Sequence, residues 1–313
     1  MKKAMIYGIL ASFFFAFTFL LNRSMNLAGG FWLWSACLRY LFMLPMLFLL
    51  LFFRSGSQIR SVCVAIREKT VPWIVWSTVG FGLFYLPLTL ASVYGESWLT
   101  AASWQITIVA GVLLTPLFGK KVPLKNLAMS ALILVGVAIL QLPHMSGQTF
   151  QNNCAAFLPI LIAAFCYPLG NRKMMQLCPS EFDTLQRVFG MTLCSTPFWI
   201  LSAVTAFGVS GLPGTGQMIQ SLGVALFSGV IATILFFHAT DLVKENQKML
   251  AAVEATQCGE VLFTLLGGIL VLGDPVPGAL SFLGILLIVV GMVANSLLAG
   301  KSQKESCEKE AQD

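Results

Sequence analysis

Two carboxylates lie inside one apolar stretch, Leu250 to Leu272, LAAVEATQCGEVLFTLLGGILVL. A helix needs about 20 apolar residues to span hydrocarbon. A carboxylate at its centre costs on the order of 2.5 to 3.5 kcal/mol on insertion scales, so it is kept for a use or a partner. At about 1.5 Å rise per residue, Glu260 lies roughly 15 Å into the stretch, near its middle. Glu254 lies only about 6 Å in by the same rise, near one interface. Gln257 stands three residues from each carboxylate and Thr256 four before Glu260, which sets these polar groups on one broad helix face.

Two chemistries fit Glu260. It could carry a proton, with protonation and binding of a cationic group competing for one site, which is what an exchanger requires. It could instead stay neutral, bonded to a backbone carbonyl or to Gln257. Glu254, near an interface, can reach water or Lys248. Arg39 lies roughly 12 Å into the second apolar run by helix rise, too deep for easy snorkelling, so it pairs with a carboxylate or faces a polar cavity. A salt bridge to Glu260 or Glu254 would argue for structure or for an anionic substrate. Arg187, four residues after Asp183, fits a helix pair or snorkelling. Tyr85, Tyr94, Trp98, Trp104 and Gln105 cluster in the third and fourth runs. Tyr94 and Trp98 suit an interfacial aromatic belt. Trp104 and Gln105 lie deeper, where they could stack on and hydrogen-bond a flat organic cation or simply pack.

The elements that position these groups are membrane spans. The 313 residues are 57% hydrophobic and 10% charged, with mean hydropathy +0.83. A soluble domain carries about 25% charged residues, so this is an integral membrane protein. The net charge of +6 sits in short loops between apolar runs, which suits membrane topology rather than nucleic acid. The eight cysteines form no CxxC pair, and the two histidines, His144 and His238, lack a second ligand nearby. Neither a disulfide framework nor a zinc site is expected. There is no Walker-type glycine loop, so pumping must draw on a gradient rather than ATP. No cofactor is implied. No Ser/His/Asp set, metal triad or phosphate loop supports a membrane-embedded enzyme, and the expectation is a protein that is not an enzyme.

Ten apolar runs can be marked, at 4–21, 31–53, 72–94, 98–118, 124–142, 154–170, 184–207, 217–238, 249–272 and 277–299. With the N-terminus in the cytoplasm, sixteen of the nineteen Lys and Arg fall on the cytoplasmic side and only Arg23 outside. That asymmetry follows the positive-inside rule and puts both termini in the cytoplasm. The segment 301–313, KSQKESCEKEAQD, reads as a disordered polar tail. Asn22-Arg23 recurs as Asn171-Arg172, and GKKVPLKNLAMSALILVG (Gly119 to Gly136) echoes GDPVPGALSFLGILLIVVG (Gly273 to Gly291). Each half, 1–143 and 144–300, holds five spans, an odd number, so the second half must insert upside down. The expected fold is all-α, ten transmembrane helices in two inverted five-helix repeats, with the substrate site near the midplane between halves. Arg23 and Arg172 then stand at opposite membrane faces, as gate contacts or as helix-end anchors.

This plan resembles the drug/metabolite transporter superfamily, whose repeat ends with a small-residue-rich helix, Gly-acid-Pro and a glycine-spaced helix. Here that pattern reads GEVLFTLLGGILVLGDPVPGALSFLGILLIVVG, from Gly259 to Gly291. Within it, ILASFFFAFTFLLNRSM, YPLGNRKMM, SGVIAT and AAVEATQCGEV resemble the multidrug resistance efflux transporter group of bacteria. The resemblance covers Met5 to about Ala299. It implies a proton-coupled exporter of small organic, cationic or amphipathic compounds in the plasma membrane. The superfamily also contains metabolite exporters and exchangers, so an anionic or zwitterionic substrate anchored on Arg39 is the alternative. Small four-span members couple export to protons through an acid in their first helix. Met5 to Leu21 holds none, which moves that role to Glu260 or Glu254. The partners expected are the lipid bilayer, a small-molecule substrate and protons, without nucleic acid, for a monomer or homodimer. The residues expected at the substrate or proton site are Glu260, Glu254, Gln257, Arg39, Trp104, Gln105 and Tyr85.

Overall fold

The computed structural model describes residues 2–119, 124–144, 147–243, 252–253 and 255–310, and among these there is no strand. The helices are α1 (Lys2–Leu27), α2 (Trp32–Arg54), α3 (Gly56–Glu68), α4 (Thr70–Tyr94), α5 (Ser97–Leu113), α6 (Leu124–Gln141), α7 (Gly147–Leu177), α8 (Thr184–Ser210), α9 (Thr215–Asp241), α10 (Cys258–Leu272) and α11 (Ala279–Glu310). Six of them, α1, α2, α4, α7, α8 and α9, are long and apolar enough to cross a bilayer. In hydrocarbon every backbone N–H and C=O must find a partner within the protein, and helices meet that demand locally. Prolines inside helices, Pro45, Pro87, Pro159, Pro168 and Pro197, are tolerated for the same reason, because neighbouring helices relieve the break.

One element was not visible as an apolar run. The charged connection after α2 folds as α3, because Ile59, Val62, Ala65 and Ile66 recur at helical spacing. Val62 and Ala65 are buried, and Ile59 and Ile66 pack on the main core. The N-terminus of α8 is tied down beside it. Asp183 accepts a hydrogen bond from the Gln186 N–H at 2.9 Å while Gln186 Oε1 accepts from the Asp183 N–H at 3.0 Å, a capping box. Asp183 also pairs with Arg54 at the end of α2. The backbone of α11 stays helical to Glu310, into the segment read as an unstructured tail. Lys, Gln and Glu are good helix formers, and no Pro or Gly after Gly300 stops propagation from the apolar part.

The packing pairs fall into matched sets. Helix α1 packs on α9 and α10, while α7 packs on α4 and α5. Helix α2 packs on α8, and α6 packs on α11. Helices α4 and α9 both open into π turns, at Thr78–Gly82 and Ala225–Ala232. The offset of 149 residues that separates Asn22 from Asn171 also separates Gly80 from Gly229, one glycine in each π turn. Gly80 meets Gly170 of α7 so closely that a Cβ on Gly170 would overlap the Gly80 backbone. A Cβ on Gly136 of α6 would stand 2.7 Å from the carbonyl oxygen of Gly284 of α11. Small residues let helix backbones approach where lipid supplies no hydrophobic drive for association.

Because Gly170 faces backbone rather than a yielding side chain, Gly170→Ala overpacks the α4–α7 contact. The expected cost is about 1 to 3 kcal/mol, read as a lowered melting temperature of the purified protein. Gly208→Ala, on α8 with nothing within 4 Å of its Cβ, is the control and leaves the melting temperature unchanged or higher.

Candidate functional site

Glu260 does not sit in the middle of an unbroken helix. Helix α10 begins at Cys258, and the backbone before it turns, with Gly259 N–H bonded to Thr256 O and Glu260 N–H to Gln257 O. Glu260 is therefore in the first turn of a helix, at the positive end of its dipole. The 15 residues of α10 span only about 22 Å by helix rise, less than a bilayer core. Helix α5 is interrupted too, since Gln105 forms a turn between its halves Ser97–Trp104 and Ile106–Leu113. These two breaks meet. The Gln105 side chain lies beside the Glu260 carboxylate and donates to Ala101 O at 3.1 Å. Glu260 is 9% exposed and Gln105 3%.

Arg39 of α2 faces the same region. It is 7% exposed and lies within the electrostatic reach of Glu260, yet the two form no ion pair. Its Nη1 donates to Thr18 Oγ1 of α1 and its Nη2 to Ser228 Oγ in the α9 π turn, both at 3.3 Å. Those two hydroxyls are 2.5 Å apart. The guanidinium carbon stands 4.2 Å from the centre of the Tyr85 ring, a cation–π distance. Tyr85 is itself held by Asn22, whose Nδ2 donates to the phenol oxygen at 3.0 Å. Asn22 was singled out only for its place in the repeated Asn-Arg pair. Its buried side chain orients the tyrosine on which Arg39 rests.

Aromatic rings wall the region. Phe84 lies 5.1 Å from Trp104 and 4.7 Å from Tyr167, and Trp104 lies 5.6 Å from Tyr167, centre to centre. Tyr167 is 39% exposed. Sequence reasoning missed it, although it adjoins Pro168 in YPLGNRKMM, a segment already noted. Gln257 holds the N-cap position of α10 without a side-chain capping hydrogen bond, and its Nε2 is buried with no hydrogen-bond partner among the described residues. Thus Glu260, Gln105, Arg39, Tyr85 and Trp104 belong to one neighbourhood, and Gln257 stands at its helix start. Glu254 lies outside the described residues. No group of three metal-ligating side chains occurs among the described residues.

The end of the bundle farther from the N-terminus carries two further features. A cavity of about 280 Å³ opens between the α1–α2 and α8–α9 connections, lined among others by Met25, Trp34, Pro213, Gln217 and Gln220. Arg39 follows Trp34 by five residues and Thr18 precedes Met25 by seven, which puts the charged cluster roughly 8 to 10 Å below that cavity by helix rise. Beside it, Asp274 binds three elements together. Its Oδ2 accepts from Ser97 N–H at 3.0 Å and Ser97 Oγ at 2.5 Å, capping α5, and its Oδ1 stands 3.9 Å from Arg23 Nε. Arg23 also donates to Val93 O at 3.3 Å. Arg23 is thus a pairing residue at a helix end. Arg172 instead lies over the Phe118 ring, 5.7 Å from its centre.

A multi-pass bundle of apolar helices with a buried charged cluster at two helix breaks has the build of a membrane transporter. The comparisons agree. Residues 2–301 match the EmrE family, described as "Putative multidrug resistance efflux transporter", and the chain belongs to that family. It is 48% identical over 323 aligned residues to the uncharacterized protein YjlA of Bacillus subtilis (strain 168), covering 99% of this chain and 98% of that one. It is 46% identical over 268 residues to an uncharacterized 42.1 kDa protein of Shouchella clausii, from the intracellular alkaline protease 3′ region, covering 82% and 70%. One crystal structure superposes with a TM-score of 0.63 over 96% of this chain and 98% of that one, at 17% identity, a likeness of fold.

Removing the Asp274 charge leaves Arg23 without its anion and weakens the α5 cap. Asp274→Asn is expected to cost about 1.5 to 3 kcal/mol, the range for a hydrogen bond to a charged group, measured by thermal unfolding. In a double-mutant cycle with Arg23→Gln, a coupling above about 0.5 kcal/mol identifies the pair as interacting; additive losses would show that each acts alone.

Proposed function

We propose that this protein is a secondary active transporter that exports small organic compounds bearing a cationic group in exchange for protons. The observation that carries this reading is the placement of Glu260. It is a carboxylate buried at a helix break, beside Gln105 at a second break, with Arg39 near but not ion-paired. A carboxylate locked in a permanent ion pair could not trade partners. One beside a neutral amide can take a proton or a substrate cation in turn. Phe84, Trp104 and Tyr167 supply flat faces for an organic body and for cation–π contact.

Alternating access fits the matched packing. If α1, α2, α4, α5 and α6 answer to α7, α8, α9, α10 and α11, then each reported contact between halves has its counterpart. The α1 contact with the α9 π turn answers to that of α7 with the α4 π turn, and the α2–α8 and α6–α11 pairs are self-matching. Backbone irregularity in corresponding segments of two halves, here at Gln105 and Gln257, is the feature expected around a transporter's substrate site. In this reading the ten-span, inverted-repeat plan holds, α3 lies on the cytoplasmic face of the plasma membrane, both termini are cytoplasmic, and a monomer suffices.

The test is flux in proteoliposomes. An imposed pH gradient is expected to drive uptake of aromatic organic cations by the wild-type protein. Glu260→Gln is expected to reduce that flux to the level of protein-free vesicles, whereas Glu260→Asp keeps part of it. Wild-type gradient-driven flux in Glu260→Gln would overturn the proposal.

A further inference from the structure

The three helices that meet at Arg39 meet a second time farther out. On α1 Met25 follows Thr18 by seven residues, on α9 Ser221 precedes Ser228 by seven, and on α2 Ser35 precedes Arg39 by four. Residues four and seven apart share a helix face, so each step stays on the side turned toward the other two helices. The inner set is joined by the hydrogen bonds among Arg39, Thr18 and Ser228. The outer set is joined at sulfur. Ser35 Oγ and Ser221 Oγ both donate to Met25 Sδ, at 3.5 and 3.3 Å. All three outer residues are buried, none more than 1% exposed. The two layers stand roughly 6 to 10 Å apart by helix rise, with the buried Asn22 between them on α1.

Above the sulfur layer lies the cavity between the α1–α2 and α8–α9 connections, and Met25 belongs to its lining. Gln217 joins cavity and layer, since its Nε2 donates to Phe31 O at 2.8 Å and to Ser35 Oγ at 2.9 Å. Gly30 leaves room for it, because a Cβ there would stand 2.9 Å from the Gln217 amide carbon. The Trp34 indole is fixed on the wall by its Nε1, which donates to Gly211 O at 2.9 Å. Gln220 is different. It also lines the cavity, but its Oε1 is buried and accepts no hydrogen bond from any described residue. A buried acceptor left unpaired is costly. No charged side chain is among the described lining residues. The cavity therefore offers an amide oxygen and the Phe31 and Trp34 rings, and lacks a donor. Its volume of about 280 Å³ holds one aromatic ring with a short chain.

We propose that this cavity is a second, outer binding station for the exported compound, an arylalkylammonium in its simplest form, and that the Met25 thioether is the movable partition between it and the site at Glu260. The identity of the ligand rests on the proposed exchange at Glu260, whereas the station itself rests on the cavity and on Gln220. An ammonium N–H pairs with Gln220 Oε1 while the ring lies along Trp34 and Phe31. With no carboxylate in its wall, the station holds a cation less tightly than Glu260 does, which suits release. Methionine fits the partition. It is unbranched with three rotatable bonds, and its sulfur is a weak acceptor. Withdrawing it gives up two weak contacts and leaves the Ser35 and Ser221 hydroxyls along the passage.

Phenethylammonium is the probe. Equilibrium binding to the purified full-length protein is expected to find two molecules per chain. Gln220→Leu removes the outer one and raises the melting temperature, because carbon replaces an unpaired buried oxygen. Gly216→Phe, which adds a ring to the lining where a Cβ meets nothing within 4 Å, removes the same one. Glu260→Gln removes the inner one. Met25→Ala is expected to speed both association and release at the inner site by at least about tenfold with Kd changed less than about twofold, since a partition sets the barrier and not its two ends. One molecule per chain, lost in Glu260→Gln, would show that the cavity holds only water and overturn the station. A second site indifferent to both Gln220→Leu and Gly216→Phe would overturn it too. Unchanged rates in Met25→Ala, or lost affinity in place of faster exchange, would overturn the partition. Two sites that both survive Glu260→Gln, one of them lost in Gln220→Leu, would leave the station standing and remove the exchange reading instead.

Discussion

Ionisable groups out of water govern this molecule. Placing Arg39 and Glu260 deep in an apolar bundle costs free energy that hydrophobic neighbours cannot return. The structure answers by surrounding each with neutral polar atoms drawn from separate helices. Thr18 comes from α1, Ser228 from α9, Gln105 from α5, and the Tyr85 ring from α4. Each of these helices is therefore bound to the position of its neighbours by polar contacts as well as by packing. The charged cluster is a meeting point of the bundle.

The same demand accounts for the irregular backbone. A regular helix presents no free N–H or C=O in its interior, so a polar site inside hydrocarbon needs breaks. They occur in α5 at Gln105 and before α10 at Gln257, beside Glu260. The π turns of α4 and α9 do a related task. They widen the helix where Gly80 and Gly229 admit a neighbour at short range, Gly170 in one case and Met43 in the other. Ser228, within the second π turn, is thereby brought to Arg39. Away from the cluster, ordinary pairs such as Arg23 with Asp274 and Arg54 with Asp183 hold the two ends of the bundle.

If the proposed exchange operates, the tie at Asp274 and the cavity above Met25 stand on the same side of the charged cluster. Opening on that side would have to loosen contacts among α1, α5 and the α10–α11 connection while leaving Arg39 and its hydroxyls in place. The polar contacts at that end also include Asn26 with Ser92, Trp34 with the Gly211 carbonyl and Gln217 with the Phe31 carbonyl.

Much of this was legible in the chain itself. Composition and the length of the apolar runs made a multi-pass helical membrane protein unavoidable, because a segment of about 20 apolar residues has no other stable place. Glu260 and Arg39 stood out because charge inside such a segment is costly wherever the helix goes. Their partners were another matter. Nothing in spacing joins Thr18, Ser228 and Arg39, or Gln105 and Glu260, since those contacts join helices up to 210 residues apart in sequence. Tyr167 looks like an ordinary member of an apolar run, and Asn22 like half of a repeated Asn-Arg pair, until the rings and the amide are placed. The amphipathic α3 was hidden by its charges, and the break before α10 by its hydrophobicity, which is continuous where the backbone is not. Single-residue costs depend on local composition and can be read from sequence. Whether Arg39 and Glu260 pair or stand apart is a distance between helices, and only the tertiary packing sets it.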